Sequence, residues 1–260
     1  MSHMIGLGRE KGTIMNSFGG MIVKRIIGLI LFLLIAGINS VFALPPGSMS
    51  TEEASSRARV AFLMNSAENM PYNVYIVGEN EKLLGSNWGW RQQNVHEEIW
   101  AGKYYAYINE SNGSVAARQP VSLFREETYA SNNNSWPPQR INVHYPNYDG
   151  FYVVKGKMGQ PDILVCTSRE TGGGKFSARV FVIKDGFMKL VRFMYQEQST
   201  KETIMIGFDR IYYLDDGTLA VPWWTNAGRG SFGRGAGKYT TVYMMDIGNL
   251  ILISSYTNRR

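Results

Sequence analysis

The sequence predicts an all-β protein of about twelve antiparallel strands, preceded by one short N-terminal helix. Runs of β-branched and aromatic residues recur after Pro71, and glycine turns separate many of them. No stretch beyond residue 71 shows the helical period of apolar residues. Aromatic residues make up 13% of the 260 residues and charged residues 18%, which excludes a disordered chain and a charged coiled coil.

The helix is predicted from a capping box. Glu53 follows Ser50 at the spacing at which the two side chains satisfy each other's backbone N–H groups. We expect the helix to continue from Ala54 to Met64.

The strands are predicted from runs in which apolar residues alternate or are continuous. Asn-Gly and Asp-Gly pairs favour tight turns between them, because such turns need a positive φ that glycine adopts without strain. The turn pairs are Asn112-Gly113, Asp149-Gly150, Asp185-Gly186 and Asp216-Gly217. The predicted strands are Asn73–Val77, Lys103–Ile108, Phe151–Val154, Asp162–Cys166, Ala178–Ile183, Met188–Met194, Arg210–Leu214, Thr218–Trp224, Thr240–Met245 and Leu250–Tyr256.

A pattern of glycine, lysine and an aromatic residue indicates an internal repeat. It occurs at 102–104, 174–176 and 237–239, each time followed by a strand and a turn glycine. The repeats would span about 72–124, 151–196 and 209–257, with an insertion at 125–150. Three four-stranded units predict a closed barrel that resembles a β-trefoil. A small β-propeller, an irregular meander barrel and a chance match between glycine-rich hairpins remain alternatives.

Residues 21–43 are predicted to be a signal peptide. Lys24 and Arg25 precede an apolar run at Ile26–Ile38, and Val41 and Ala43 occupy the positions that signal peptidase reads. The run spans about 20 Å as a helix, short of the ~30 Å hydrocarbon core, which favours cleavage near Ala43. We expect export to the periplasm or the extracellular space, as for a bacterial envelope protein. A membrane is involved only if the segment stays uncleaved.

The net charge of +6 is partly a property of this leader. Residues 1–43 contain four basic residues and one acidic residue, so the chain from residue 44 carries +3. A charge of that size gives no argument for a nucleic-acid partner. The predicted organisation is a leader without an assigned role at 1–20, the signal peptide at 21–43, a helical extension at 44–71 and one all-β domain at 72–257.

Ligand motifs are present only in part, and we expect no cofactor and no metal. The segment 228–233 has the spacing G-x-G-x-x-G, but it leads into a predicted strand, whereas a dinucleotide site needs a helix N-terminus. His96 and His144 lack partners at metal-ligand spacing. The single Cys166 lies in an apolar β-rich run that is typical of a buried thiol.

We expect a non-catalytic protein and assign no catalytic residue. Serine-hydrolase and zinc-protease motifs do not occur in the sequence. One alternative is a secreted hydrolase that uses a carboxylate pair including Glu97 or Glu170, because glycosidases need two such groups across a cleft. Another is a structural module that assembles with itself.

The main functional prediction concerns the segments that join the two hairpins of each unit. Five of the six tryptophans lie there, together with arginines. Indole faces and forked guanidinium donors together suit recognition of a glycan or a protein partner. The alternative is that the tryptophans cap the core and the arginines are solvated. The predicted binding residues are Trp88, Trp90, Arg91, Trp100, Arg169, Trp223, Trp224, Arg229 and Arg234.

Overall fold

The structure is a computed structural model that describes residues 46–84, 98–124, 139–144, 146, 150–169, 176–196, 199–207, 209–226 and 236–259. It confirms the all-β fold, in which antiparallel pairing predominates. One helix, α1 (Thr51–Arg57), lies within the described ranges. The strands are β1 (Ser48–Ser50), β2 (Ala58–Asn65), β3 (Pro71–Leu83), β4 (Ile99–Glu110), β5 (Val115–Arg118), β6 (Arg140–Asn142), β7 (Gly150–Val154), β8 (Ile163–Arg169), β9 (Phe176–Lys184), β10 (Phe187–Met194), β11 (Ile204–Ile206), β12 (Tyr212–Tyr213), β13 (Leu219–Asn226), β14 (Ala236–Asp246) and β15 (Ile251–Arg259).

The helix begins as predicted and ends early. The Ser50 hydroxyl accepts a hydrogen bond from the Glu53 backbone N–H at 3.1 Å, which caps α1. The expectation that the helix continues to Met64 is wrong, because the chain from Ala58 forms β2 and pairs with β3. Val60, Phe62 and Met64 alternate toward one core, which is the period of a strand. None of the helices in the described ranges is long and apolar enough to cross a membrane.

The first sheet has six strands in the order β1-β5-β4-β3-β2, with β6 paired to the start of β4. The pairing of β3 with β4 is irregular between Glu79 and Lys82. Asn80 has a φ of 55° at this point, in the left-handed region that asparagine tolerates better than most residues. A bulge of this kind redirects the side chain that follows it, here that of Glu81.

The second sheet has nine strands in the order β12-β13-β14-β15-β10-β9-β8-β7, with β11 paired to β9. Its only parallel contact among the described strands joins β10 to β15, with Phe193 opposite Leu252. The turn from β9 to β10 has a φ of 54° at Asp185 and 74° at Gly186, as the Asp-Gly pair predicts for a two-residue hairpin.

This second sheet is barrel-like and nearly closed. Its first and last strands, β12 and β7, approach one another. The Tyr152 hydroxyl on β7 accepts a hydrogen bond from the N–H of Ile211, just before β12. The Tyr213 hydroxyl on β12 donates to the Pro161 carbonyl at 3.0 Å. The sheet therefore encloses one apolar core, which receives side chains from β7 through β15.

The two sheets pack face to face through a second core. On β9, Val180 and Val182 point into the barrel-like sheet, whereas Phe181 and Ile183 point outward, as strand alternation requires. The outward side chains pack with residues of β3 and β4 such as Ile76 and Ile108. The far side of the six-stranded sheet is covered by α1, with Ala54 fully buried.

The predicted repeats fall in both sheets. The first unit supplies β3, β4 and β5 of the six-stranded sheet, whereas the second and third supply β7–β10 and β12–β15 of the nine-stranded one. The later two units are four-stranded meanders that meet through the parallel pair of β10 and β15. The repeat and its trefoil-like arrangement stay predictions.

Candidate binding site

Two of the predicted binding segments start from the same end of the nine-stranded sheet. Following the pairing from β8 through β9, β10, β15 and β14 to β13 shows that β8 and β13 run in the same direction. β8 ends at Arg169 and β13 ends at Asn226, so the segments 170–175 and 227–235 both begin at this end. We call it the loop end.

The start of β4, which follows the third segment, is linked to the loop end through β6. The Val143 N–H donates to the Glu98 carbonyl at 3.1 Å. Three residues later, the Pro146 carbonyl accepts a hydrogen bond from the Thr167 hydroxyl near the end of β8.

The structure describes only some of the residues predicted from sequence. Trp100 and Trp223 are described with their side chains, and Arg169 and Trp224 as backbone positions at the ends of β8 and β13. The hydrolase candidates Glu97 and Glu170 lie outside the described residues, as do His96 and the segment 228–233. The remaining predicted binding residues, also outside them, are Trp88, Trp90, Arg91, Arg229 and Arg234.

Trp223 lies on the inner face of the nine-stranded sheet, at the loop end. Its ring stacks on that of Tyr239 with the centroids 4.6 Å apart and the planes 17° apart. Its indole N–H donates to the Thr241 hydroxyl at 2.9 Å, and that hydroxyl bonds to the one of Thr257 at 2.9 Å. We call Trp223, Tyr239, Thr241, Thr257 and Arg259 the Trp223 cluster. Arg259 belongs to it because it lies opposite Tyr239 in the pairing of β14 with β15.

Gly237 sets the position of the Tyr239 ring. A Cβ atom at residue 237 would lie 2.7 Å from Cε2 of this ring, so the ring lies over the backbone at a place where only glycine leaves room. The ring is thus held between the strand and the indole of Trp223. Both aromatic residues remain partly exposed.

The inner face changes character along β14. Met245 and Tyr243 are buried in the apolar core, and Phe193 meets Tyr243 edge to face with the centroids 5.7 Å apart. Burial, followed by the Tyr195 hydroxyl, raises the pKa of Tyr243. Toward the loop end, this apolar surface gives way to the hydroxyl of Thr241 and then to the aromatic stack.

Trp100 has an ionic environment. The Arg59 guanidinium lies 3.7 Å from the centroid of its ring, and the indole N–H donates to a Glu98 carboxylate oxygen at 2.5 Å. Arg59 also donates two hydrogen bonds to Glu81, at 3.1 and 2.7 Å. These hydrogen bonds raise the pKa of Arg59. We call Arg59, Glu81, Glu98, Trp100 and Tyr104 the Trp100 cluster.

Two glycines leave room for the Glu81 side chain. A Cβ atom at Gly78 would overlap its carboxylate end, and one at Gly102 would lie 3.0 Å from its Cγ. The bulge that precedes Glu81 thus directs its carboxylate over two positions without side chains. Burial, followed by the nearby Glu81 carboxylate, raises the pKa of Tyr104.

Sequence reasoning missed several residues of both clusters. Arg59, Glu81 and Thr241 lie in runs that look like ordinary strand or helix sequence, and their partners are remote along the chain. The glycine–lysine–aromatic pattern did mark two of the positions that matter, Gly102 and Gly237, although as signs of a repeat. Each of these glycines makes room for a neighbouring side chain.

The described residues contain no group of three His, Cys, Asp or Glu side chains that could hold a metal ion. His144 is exposed, and Cys166 is buried, as its apolar surroundings predict.

No protein-family model matches this chain, and neither a curated protein nor a solved structure matches it.

Proposed function

We propose that the protein is an exported, non-catalytic binding protein that engages its partner through the loop end, and that the partner is a glycan. The predicted alternative, a protein partner, would use the same end. The observation that best supports the proposal is the partly exposed stack of Trp223 on Tyr239. A sugar ring has an apolar C–H face that packs on such a ring, and hydroxyls that bond to polar groups at its rim.

The surroundings of Trp223 support this use because they fix the indole before any ligand binds. Its N–H is held by Thr241, and one face of the ring is held by Tyr239. A ring that is already positioned loses little conformational freedom on binding, so more of the contact energy is kept as affinity.

Export is the other part of the proposal. Cleavage after Ala43 would leave the compact unit Pro45–Arg260 whole. N-terminal sequencing of the protein recovered from the periplasm or culture medium is expected to begin at Leu44. Recovery of a chain that still contains Ile26–Ile38 would contradict cleavage.

The binding proposal is tested with Trp223→Ala and a matched control. We expect Trp223→Ala to weaken glycan binding at least tenfold in calorimetric titrations against a panel of oligosaccharides, with the β-sheet circular dichroism unchanged. Tyr256→Ala removes a more exposed aromatic side chain from the outer face of β15, and it should bind like the natural chain. Loss of the fold in Trp223→Ala would show that the indole belongs to the core.

A further inference from the structure

We propose that the Trp223 cluster binds an acidic sugar, one whose ring carries a carboxylate or a sulfate, and that Arg259 receives the acidic group. This inference rests on the proposed function and names its ligand class. Three observations support it. They are the charge on the inner face of the sheet, the spacing of the strands, and the partners of the other arginines.

Among the described residues, the positive charge on this face has no acidic side chain opposite it. The inner face of β13, β14 and β15 presents apolar, aromatic and hydroxyl side chains and Arg259, and none of its described residues is an acid. Arg259 is exposed at the end of β15. A ligand that packs on the aromatic stack therefore meets a cation without an acidic side chain on the described part of this face, a setting that favours an anionic substituent.

Four other described arginines are each paired with a carboxylate. In each pair a guanidinium nitrogen lies 3.8 Å or less from a carboxylate oxygen, so the arginine charge is already balanced within the fold. These pairs are Arg57 with Glu53, Arg59 with Glu81, Arg118 with Glu79, and Arg179 with Glu202.

The spacing suits one sugar ring and its acidic group. Trp223, Tyr239 and Arg259 occupy neighbouring positions on three adjacent strands, so Trp223 and Arg259 are two strand spacings apart, about 10 Å. Tyr239 lies on the strand between them, so the flexible arginine side chain can reach toward a ring that packs on the edge of the aromatic stack. Thr257, which is exposed and whose hydroxyl bonds to that of the buried Thr241, lies on the strand of Arg259 and offers a partner to a ring hydroxyl.

A nucleic acid also combines flat rings with negative charge, and the observations favour the glycan over it. A nucleic-acid site neutralises a row of phosphates with several cations, whereas the described residues of this face supply one. The chain from residue 44 carries a net charge of only +3. One cation beside one aromatic stack fits a single acidic sugar.

The test compares two ligands with the same sugar backbone, one carrying carboxylates and the other their neutral methyl esters. Oligogalacturonate and its fully methyl-esterified form are titrated into the full chain, into Arg259→Gln and into Trp223→Ala, by calorimetry at low salt. Arg192→Gln is the control, since Arg192 is an exposed arginine on the outer face of β10. We expect the acid to bind about tenfold more tightly than the ester, Arg259→Gln to abolish that difference, and Trp223→Ala to weaken both ligands.

Other outcomes separate the inference from the function on which it rests. If the acid and the ester bind equally and both depend on Trp223, the acidic-sugar inference is overturned and glycan binding stands. If neither oligosaccharide binds to the natural chain, both the inference and glycan binding by this cluster fall. If an oligothymidylate binds more tightly than the acid and depends on Arg259, the ligand is a nucleic acid and the inference is overturned.

Discussion

Trp100 and Trp223 both border a segment predicted to bind, but the protein holds them by different means. Trp100 lies between the charges of Arg59 and Glu98, and one face of its ring is covered by the guanidinium. Trp223 is held by a neutral hydroxyl and a second aromatic ring. The ions around Trp100 are committed to one another, which suits a structural role. The neutral setting of Trp223 leaves the charge of Arg259 available to a ligand.

The largest expected effect is that of Arg59→Met, which removes the cation of the Trp100 cluster. The Glu81 side chain is only 13% exposed, so removal of its bidentate partner leaves a largely buried charge without compensation. We expect the free energy of unfolding to fall by about 3 kcal/mol. Urea denaturation followed by tryptophan fluorescence measures it.

Arg118→Met is the matched control for that change. Arg118 also combines an aromatic ring with a carboxylate, since it lies 3.5 Å from the centroid of Tyr105 and 3.8 Å from Glu79. This pair is much more exposed, and we expect a loss of about 1 kcal/mol or less. Equal losses in the two variants would show that burial does not set the strength of the Trp100 cluster.

Alkaline pH should act on the Trp100 cluster and on the apolar core beside the Trp223 cluster, because the first contains Tyr104 and the second Tyr243, each a buried tyrosine with a raised pKa. Tyr104 and Tyr243 stay neutral in the fold above the ordinary tyrosine pKa of about 10, at which the unfolded chain ionises. Stability is therefore constant below about pH 10 and falls above it, by up to about 1.4 kcal/mol per pH unit for each such tyrosine.

Absorbance near 295 nm, which reports tyrosinate, and circular dichroism measure this effect together. The buried tyrosines should ionise only as the sheet signal is lost, and Tyr104→Phe should make the alkaline decline in stability less steep. Ionisation of all fifteen tyrosines while the fold persists would be inconsistent with the raised pKa values.

A smaller effect on stability is expected from Thr241→Val, a change in the Trp223 cluster. Valine has nearly the shape of threonine but cannot accept the hydrogen bond from the Trp223 indole or bond to Thr257. We expect a loss of about 1 kcal/mol in the free energy of unfolding. Thr218→Val, a change to a half-buried threonine in the turn before β13, removes an exposed hydroxyl hydrogen bond to Asp216 and should cost less. If Thr241→Val left the free energy of unfolding unchanged, a water molecule would have to replace the hydroxyl as the partner of the indole N–H.

Local sequence predicted the strands well because strand alternation and glycine turns are local properties. Asp185 and Gly186 both adopt the positive φ that their turn requires, and Ser50 caps α1. The chain beyond Arg57 was predicted wrongly for a physical reason. Val60 and Met64 are four residues apart, as on one face of a helix, but the pairing with β3 makes this segment a strand.

The clusters themselves depend on contacts that no local pattern encodes. Arg59 meets Glu81 because a bulge in β3 turns the carboxylate toward β2. Arg259 faces Tyr239 only through the register of β14 with β15, which itself contains an irregularity near Tyr243. A shift of one residue would move either side chain to the opposite face, so composition alone could not place them.

The smallest expected effect, and the most local one, is that of Gly237→Ala. The added Cβ would meet the edge of the Tyr239 ring, which can rotate away, so the fold should lose only the stacking energy, about 0.5–1 kcal/mol. Near-ultraviolet circular dichroism should show the loss of the Trp223–Tyr239 arrangement. Gly102→Ala is the counterpart in the other cluster, where the new Cβ would lie 3.0 Å from the Glu79 carbonyl. Because a paired backbone cannot rotate away, Gly102→Ala should be the more destabilising change. If Gly237→Ala were the more destabilising of the two changes, the Tyr239 ring would have to be held as rigidly as a strand backbone.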